Sequence, residues 1–437
     1  MLESKTHFIG IGGIGMSALA RILLDRGESV SGSDRLPSPL VRELEREGAI
    51  FYEEKGLFPK GTRVVYGSAI GPEHPERVLA VRSSVETIHR STLLKRLVRG
   101  KRAIYISGMH GKTSLSSLLT WVLIHAGADP SYAIGGIPFN TGRNGRSGGG
   151  GLFVAEADES DGSFLGYEKG IAVVTGIDEE HLDFWKNGER IRTGFRQFAS
   201  RMEKVFYCAE GGELTSLLGK GESYGIAQGV DFCLRDVEEG KEGLTFSIVG
   251  KGRECRSLFL PLIGRKQAVN ACAVWAVASY LNISPGEIRE AFATFSGVKR
   301  RMEKRGEFGG VTLYEDYAHH PNEISATLAS LKRVIGEKRL TVIFQPHRFS
   351  RTEELFTSFT TAFHDADRVF ITDIYPAGER ANRAVTGRML ADAVSGAGFV
   401  AEGERFAEGE FARGETVVVM GAGDHGQWVD RVVASCS

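Results

Sequence analysis

The sequence has no excess of charge of either sign and no long apolar run. Its 437 residues include 54 Lys and Arg against 55 Asp and Glu, which leaves a net charge of -1. Without a bulk positive field, the chain is not expected to bind nucleic acid or an anionic membrane surface. No stretch approaches the roughly 20 apolar residues of a membrane span, and the first residues lack the pattern of a signal peptide. These absences favour a cytoplasmic protein.

Cysteine is also scarce. The five cysteines include no CxxC pair, and their odd number in a long chain disfavours both a disulfide framework and a zinc knuckle. Reduced thiols are therefore expected. Glycine, in contrast, is abundant at 56 residues, about one residue in eight where about 7% is usual. Many of these glycines follow predicted strands.

Apolar runs, glycine-rich turns and segments with a helical period alternate in three blocks, a pattern typical of parallel α/β units. The blocks predict a Rossmann-like domain over residues 1–99, a central doubly wound domain over 100–297 and a second Rossmann-like domain over 298–437. The glycine-rich segment 140–151 is expected to form a mobile loop. Short alternating runs in residues 211–256 predict β structure.

The first block contains a GxGxxG turn at residues 10–15, between a predicted strand and a predicted helix. Asp34 lies 19 residues beyond Gly15, near the place where a dinucleotide-binding enzyme has the acid that contacts ribose. The glycines let the backbone approach a diphosphate at a helix N-terminus, and any nucleotide diphosphate can occupy such a site. The motif alone therefore fits a nicotinamide cofactor, another nucleotide or a purely structural turn.

The second block contains the Gly-Lys-Thr core of a phosphate loop, within residues 108–114. The usual pattern has a glycine where this chain has Ile106, so the loop is an atypical variant of the P-loop. Its backbone N–H groups and Lys112 can still cradle nucleotide phosphates, and the Thr113 hydroxyl can reach Mg²⁺. The segment predicts that the central domain binds ATP.

Further metal ligands are expected at the carboxyl ends of neighbouring parallel strands, where ligands of open α/β sheets gather. Glu156 follows a predicted strand at 152–155, and His181 follows one at 171–175. Alone, each residue fits a solvated or core position as well as a ligand position. Their convergence on one sheet edge, together with Thr113, favours a Mg²⁺ site.

Polar segments also follow two predicted strands of the third block. His319 and His320 lie in the first segment, and His347, Arg348 and Arg351 lie in the second. Consecutive histidines seldom face one ion, so hydrogen bonding to a substrate is their expected role. The two arginines are three residues apart and could bind one carboxylate or phosphate, although a solvated helix start is the alternative. A last glycine turn, residues 421–426, is interpreted as a packing turn.

The order of these motifs resembles the Mur ligase family, in particular its alanine-adding branch. The resemblance covers almost the whole chain, in segments 7–17, 31–34, 108–114, 156–164, 181–183, 297–303, 316–323, 345–351, 375–379 and 421–424. It implies a ligase of peptidoglycan precursor biosynthesis that uses ATP and Mg²⁺. In the implied reaction, the lactyl carboxylate of UDP-N-acetylmuramate becomes an acyl phosphate, and the amine of L-alanine attacks its carbonyl.

The resemblance also implies the roles of individual residues. The implied catalytic residues are Lys112, Glu156, His181, Arg348 and Arg351. The implied ATP-binding residues are Gly108, Met109, His110, Gly111, Lys112, Thr113, Ser114, Asn270 and Arg301. The implied substrate-binding residues are Gly12, Gly13, Gly15, Met16, Ser17, Asp34, Tyr317, His319, His320, His347, Arg348 and Arg351. The implied metal ligands are Thr113, Glu156 and His181.

Three alternative functions are compatible with the same motifs. A murein tripeptide recycling ligase shares the family and differs in the acceptor amine. A nicotinamide-dependent oxidoreductase would use the first glycine turn and Asp34, but it leaves the proposed metal cluster unexplained. A nucleotide-binding homologue without activity is the third alternative.

Overall fold

A computed structural model of the chain describes residues 5–35, 38–53, 58–177, 181–210, 213–218, 220–380, 384–423 and 426–436. The described residues form three sheets. They divide into two compact units. Unit 1 comprises residues 1–236, 246–259 and 268–296, and unit 2 comprises residues 237–245, 260–267 and 297–437. None of the described helices combines the length and the hydropathy needed to cross a membrane.

The first sheet has five parallel strands in the order β3-β2-β1-β4-β5, which is the strand order of dinucleotide-binding folds. Its strands are β1 Lys5–Ile9, β2 Ser29–Ser33, β3 Ile50–Tyr52, β4 Thr62–Tyr66 and β5 Glu86–His89. Its helices are α1 Ile14–Asp25, α2 Pro39–Arg46, α3 Pro75–Arg82 and α4 Arg90–Val98. Helix α1 buries Leu19, Ile22 and Leu23 at helical spacing. It is followed by Gly27 at φ +74°, a conformation that glycine adopts without strain.

The second sheet has ten strands in the order β15-β14-β13-β12-β11-β10-β6-β9-β7-β8. These strands are β6 Arg102–Ser107, β7 Ser131–Ala133, β8 Gly145–Arg146, β9 Leu152–Glu156, β10 Gly170–Val174, β11 Lys204–Cys208, β12 Glu222–Gly225, β13 Phe232–Gly240, β14 Gly243–Gly250 and β15 Arg253–Leu260. The helices are α5 Lys112–His125, α6 Leu182–Trp185, α7 Gly188–Ser200, α8 Glu213–Leu218, α9 Arg265–Tyr280 and α10 Pro285–Ala293. Strands β6, β9 and β10 are parallel neighbours, so their carboxyl ends meet at one edge. The predicted β structure in residues 211–256 is confirmed, apart from α8.

The predicted mobile loop at residues 140–151 is wrong. Strand β8 lies within it and pairs antiparallel with β7. Asn144 is fully buried: its Oδ1 accepts from Arg21 Nη1 at 2.7 Å, and its Nδ2 donates to Ile14 O at 2.7 Å. Arg21 is itself 1% exposed and pairs with Glu43 and Glu47. The segment is therefore fixed to α1 by a buried polar network.

The third sheet lies in unit 2 and has the order β16-β17-β21-β18-β19-β20. Among the described strands of this sheet, only β16 and β17 pair antiparallel, and the other neighbours are parallel. The strands are β16 Glu303–Phe308, β17 Val311–Asp316, β18 Leu340–Phe344, β19 Arg368–Thr372, β20 Ala397–Val400 and β21 Thr416–Met420. The helices are α11 Pro321–Ile335, α12 Phe349–Glu354, α13 Phe356–Phe359, α14 Gly387–Ala393 and α15 Gly426–Ser435. Apolar clusters cover both faces, one around Phe344 and one around Trp428.

The predicted α/β class and its three-part architecture are confirmed by these sheets. The domain boundaries at 99/100 and 297/298 stay predictions. The cysteines are free: Cys208, Cys233 and Cys272 are buried, whereas Cys255 and Cys436 are partly exposed.

Candidate active site

The first glycine turn joins β1 to α1 beside the end of β2. The N–H groups of Gly10 and Ile11 donate to Ser33 O at 2.8 and 3.0 Å. The N–H of Gly12 donates to Asp34 Oδ2 at 2.8 Å, and a Cβ at Gly12 would lie 2.8 Å from the same oxygen. Close approach of the Asp34 carboxylate therefore requires glycine at this position.

Helix α1 begins after Gly13 with no side-chain cap and no acidic residue in its first turn. Its N-terminal N–H groups and its dipole thus suit an anion such as a diphosphate. Arg90, at the start of α4, lies beside the same turn, since a Cβ on Gly15 would be 3.3 Å from its Nη1. The turn is therefore lined by a cation as well as by backbone N–H groups.

Two predicted substrate-binding side chains lie inside the protein. Ser17 is fully buried; its hydroxyl donates to Ile14 O at 3.0 Å and accepts from Asn144 Nδ2 at 2.9 Å. Met16 is 6% exposed. The geometry gives no support to direct substrate contact by the Ser17 hydroxyl, because the helix and Asn144 occupy it.

The phosphate loop, residues 108–114, follows β6 and includes the first residues of α5. Gly108 has φ +116°, and a Cβ there would lie 2.5 Å from Thr175 Oγ1. Met109 N donates to Gly176 O at 3.1 Å, which holds the loop against the end of β10. Gly111, at φ +81°, precedes α5. The glycines are thus required by both backbone conformation and close packing.

The rest of the loop is enclosed by neighbouring elements. Met109, Thr113 and Ser114 are buried, and His110 is half-buried. The side chain of Asn270, on α9, lies against Gly111, with Oδ1 3.1 Å from where a Cβ would be. The structure therefore places Asn270 beside the loop, as its predicted ATP-binding role requires.

Lys112 forms the first residue of α5 and is held by two oxygen atoms. Its Nζ donates to Gly108 O and to Glu159 Oε1, each at 2.6 Å. Burial alone would lower the pKa of Lys112, but the carboxylates of Glu159 and Asp158 outweigh burial and raise it. The lysine is therefore a positive charge at the N-terminus of a helix.

Two of the three predicted metal ligands are in contact. The Thr113 hydroxyl donates to Glu156 Oε2 at 3.3 Å, and Glu156 Oε1 accepts from Gly135 N at 2.7 Å and Ser116 Oγ at 3.0 Å. A hydroxyl and a carboxylate are the oxygen ligands that Mg²⁺ prefers. These two residues therefore fit a Mg²⁺ site.

His181 precedes α6, with φ +56°, and its carbonyl accepts from Phe184 N and Trp185 N at 3.0 and 2.9 Å. In the described part of the chain, no three His, Cys, Asp or Glu side chains are grouped to bind a metal. The assignment of His181 as the third metal ligand stays a prediction.

Side chains of the loop after β9 contact residues at both glycine turns. Asp158 Oδ2 lies 2.6 Å from Arg90 Nη2, and Asp161 Oδ2 lies 4.0 Å from the same nitrogen. Burial raises the pKa of Asp158, but the charges of Arg90 and Lys112 outweigh it and hold the pKa below its ordinary value. The loop thus binds Arg90 beside the first turn through Asp158 and Lys112 in the second through Glu159.

In unit 2, a row of rings lies at the carboxyl ends of β17 and β18. The ring centroids of Tyr317 and His319 are 5.4 Å apart, those of His319 and His347 are 6.1 Å apart, and His347 stacks on Tyr375 at 5.6 Å. Arg301 lies over the Tyr317 ring, 4.6 Å from its centroid. The predicted residues Tyr317, His319, His347 and Arg301 are therefore brought together.

The two imidazoles of this row differ in their hydrogen bonding. His319 Nδ1 lies 3.0 Å from Tyr317 O, an acceptor, so Nδ1 carries the proton and Nε2 is left as an acceptor. His347 Nδ1 lies 3.2 Å from Arg351 Nη1, a donor, so the proton of the neutral ring is on Nε2. Burial lowers the pKa of His319 to about 4 and that of His347 to about 3. Both rings are neutral at pH 7.

Other predicted residues of unit 2 have structural roles or lie at the surface. His320 is 8% exposed and caps α11, since its Nδ1 accepts from Asn322 N at 3.3 Å. Arg348 is exposed and has φ +71°. Residues 421–423 pack beside the site, where Gly421 N donates to Asp316 O at 3.1 Å. Residues 424 and 425 of that motif lie outside the described residues.

Sequence reasoning missed three residues of the site. Glu159 lies in segment 156–164, which carries the family resemblance, but its partner Lys112 is 47 positions away. Arg90 lies outside the segments that carry the family resemblance. Asn144 lies in a glycine-rich stretch and has no local signal for burial.

Three protein-family models match successive parts of this chain. The "Mur ligase family, catalytic domain" matches residues 5–102, the "Mur ligase middle domain" residues 106–278, and the "Mur ligase, glutamate ligase domain" residues 300–423. A UDP-N-acetylmuramate--L-alanine ligase of Protochlamydia amoebophila is 41% identical over 402 residues, which are 90% of this chain and 88% of that protein.

Two solved structures extend the comparison. The UDP-N-acetylmuramate-alanine ligase MurC of Thermotoga maritima has a TM-score of 0.85 and 28% identity, with 99% of both chains covered. The murein peptide ligase mpl of Psychrobacter arcticus has a TM-score of 0.72 and 21% identity, with 99% of this chain and 98% of that chain covered. The second likeness concerns the fold alone.

These matches place the site within a family of ligases. The chain belongs to the Mur ligase family. This confirms the resemblance that the order of motifs indicated, and it favours a ligase over a nicotinamide-dependent oxidoreductase.

Proposed function

We propose that the chain is an ATP-dependent ligase that joins L-alanine to the lactyl carboxylate of UDP-N-acetylmuramate, in cytoplasmic peptidoglycan precursor synthesis. The observation that carries the proposal is the arrangement of Lys112 and Thr113 at the start of α5 with Glu156 at the end of β9, in the same unit as a second anion-binding glycine turn. The phosphate loop suits the triphosphate of ATP, and the first glycine turn suits the diphosphate of a UDP-sugar. The 41% identical relative, named for this reaction, supports the same substrates.

The first chemical step transfers a phosphoryl group. A substrate carboxylate oxygen attacks the γ-phosphorus of ATP, the bond to the bridging oxygen breaks, and an acyl phosphate and ADP result. Lys112 and the loop N–H groups would stabilise the charge on the transferred group. Thr113 and Glu156, with His181 as a proposed third ligand, would hold Mg²⁺, which supplies further positive charge to the phosphates.

The second step forms the amide. The neutral amine of L-alanine attacks the acyl carbon, and inorganic phosphate leaves. We assign the amino acid and the muramoyl carboxylate to unit 2, where Arg351 and Arg348 supply cations and the neutral His319 presents Nε2 as an acceptor. An acceptor at this atom suits an N–H of the amine, whereas His347 Nε2–H suits a carboxylate oxygen. We likewise propose that Tyr317 binds substrate and that Arg301 binds ATP, since both belong to the same row of side chains.

The test is phosphate release from Mg-ATP, measured with UDP-N-acetylmuramate in the presence and absence of L-alanine. We expect release that requires both substrates, with a product heavier by one alanyl residue. Parallel reactions with glycine, L-serine and a murein tripeptide measure the choice of amine. Release only with the tripeptide would replace the proposal by the recycling ligase, and binding of nucleotide without release would indicate an inactive homologue.

A further inference from the structure

The phosphate-loop lysine has a carboxylate partner that the proposed reaction does not use. Glu159 Oε1 lies 2.6 Å from Lys112 Nζ. The other oxygen, Oε2, accepts the N–H of Gly108 at 3.3 Å. Glu159 is 1% exposed, and its partner lysine side chain is 18% exposed. A single buried carboxylate therefore binds both the first glycine and the lysine of the loop.

Glu159 is also fixed from its backbone. Trp185 Nε1 donates to Glu159 O at 3.0 Å, and Trp185 is 7% exposed. Gly194, on α7, allows the indole to approach, because a Cβ there would lie 2.7 Å from Trp185 Cη2. The backbone of Glu159 is thus held by a buried hydrogen bond, so its carboxylate can change partner only by rotation of the side chain.

Neighbouring carboxylates have other partners. Asp158 pairs with Arg90 at 2.6 Å, and Glu156 accepts hydrogen bonds from Thr113, Ser116 and Gly135. Glu159 therefore differs from both in having the ammonium group of Lys112 as its ion-pair partner. A phosphate oxygen on Lys112 would lie within a few ångströms of this carboxylate, and like charges repel strongly where the surroundings exclude water.

We propose that Glu159 sets the affinity of the nucleotide site: its carboxylate competes with the β- and γ-phosphates for Lys112 and weakens the binding of ADP and ATP. The inference rests on the proposed nucleotide-binding role of residues 108–114. A ligase must release ADP and phosphate in every cycle. A carboxylate that takes over Lys112 as the phosphates leave would favour that release, and Glu159 is in this sense a positioning residue for the lysine.

The test uses Glu159→Gln, which removes the charge and keeps the shape and an acceptor oxygen. The dissociation constants of AMP, ADP and ATP are measured by calorimetry with Mg²⁺. We expect ADP and ATP to bind about tenfold more tightly, since a charge-assisted hydrogen bond of this kind is worth about that factor. AMP should bind equally to both proteins, because the lysine of a phosphate loop reaches the β- and γ-phosphates. A purely structural role of Glu159 would not distinguish the three nucleotides.

The matched control is Glu168→Gln, which makes the same charge change at an exposed position of the same unit and should alter none of the three constants. UDP-N-acetylmuramate binding should be unchanged in both variants. If Glu159→Gln does not fold, Glu159→Asp retains the charge but withdraws the carboxylate from Lys112, and a smaller tightening of ADP and ATP is expected.

Unchanged or weaker binding of ADP and ATP would overturn the inference, as would equal tightening of AMP. These results would leave the proposed function intact if the wild-type protein binds ATP. A wild-type protein that binds no adenine nucleotide would overturn both.

Discussion

The imidazole of His319 should destabilise the folded protein as the pH falls below 6.5. Burial lowers its pKa from 6.5 to about 4; the charge of Glu323 opposes this shift, and that of Arg351 adds to it. In the unfolded chain the group should titrate near 6.5. Between these two values the unfolded state binds more protons than the folded state. The free energy of unfolding must therefore decrease as the pH is lowered through this window.

The magnitude follows from the two pKa values. Each pH unit within the window changes the free energy of unfolding by at most ~1.4 kcal/mol, and the change from pH 7.5 to pH 5 amounts to about 2 kcal/mol. Asp316 has the opposite effect on the pH dependence of the free energy of unfolding. Burial raises its pKa to about 6, so the folded state binds more protons at this group than the unfolded state does. His347 acts in the same sense as His319. The informative quantity is thus the difference between the wild-type protein and a variant at His319 alone.

The assay is urea denaturation at pH 7.5 and pH 5, for the wild-type protein and for His319→Gln. The loss of stability on acidification should be smaller in the variant by about 2 kcal/mol. His364→Gln is the matched control, because it makes the same replacement at a histidine whose side chain is 66% exposed. Histidine Cε1–H resonances followed through the same range give the pKa directly. A pKa for His319 near 6.5, or equal pH dependence in wild type and His319→Gln, would refute the reasoning.

Three further predictions concern the ligand sites. Lys112→Ala should abolish turnover and leave UDP-N-acetylmuramate binding largely intact, because the two glycine turns lie on different sheets; calorimetry that showed a similar loss of both ligands would contradict this division. His181→Ala should raise the Mg²⁺ concentration needed for half-maximal activity, and an unchanged magnesium titration would remove His181 from the metal site. Gly108→Ala should weaken ADP binding more than about tenfold, because the new Cβ would lie 2.5 Å from Thr175 Oγ1 at φ +116° and must displace the loop. Gly151→Ala, where a Cβ meets nothing within 4 Å, should bind ADP normally.

Local pattern was sufficient for the elements that carry the two turns. The predicted strand at 152–155 is β9, Leu152–Glu156, and the helix predicted after the first glycine turn is α1, Ile14–Asp25. These elements combine strong apolar periodicity with glycine at their ends, so propensity and packing agree. Segment 140–151 was predicted wrongly because its order comes from Arg21, a partner 123 positions from Asn144. Composition reports a local preference and contains no information about such a contact.

The candidate site was predictable to the extent that motifs define backbone positions. Sequence placed Thr113 and Glu156 at neighbouring strand ends, and the structure has them in contact at 3.3 Å. The sequence did not predict the ion-pair partners of the charged residues. Nothing in the local sequence around a carboxylate shows whether it faces solvent or pairs with a distant lysine. The capping of α11 by His320 and the pairing of Glu159 with Lys112 depend on side-chain direction, which sequence spacing leaves undetermined.

The distribution of the thiols makes the protein suited to site-specific fluorescent labelling. Cys208, Cys233 and Cys272 are buried, so maleimides should reach these three sulfurs slowly, and burial also raises the pKa of the Cys208 thiol to about 11, which disfavours its reactive thiolate form. Cys255 belongs to unit 1 and Cys436 to unit 2, and both are partly exposed. A donor and an acceptor dye on these two native residues would report the distance between the units by energy transfer as each ligand is added, without any engineered cysteine.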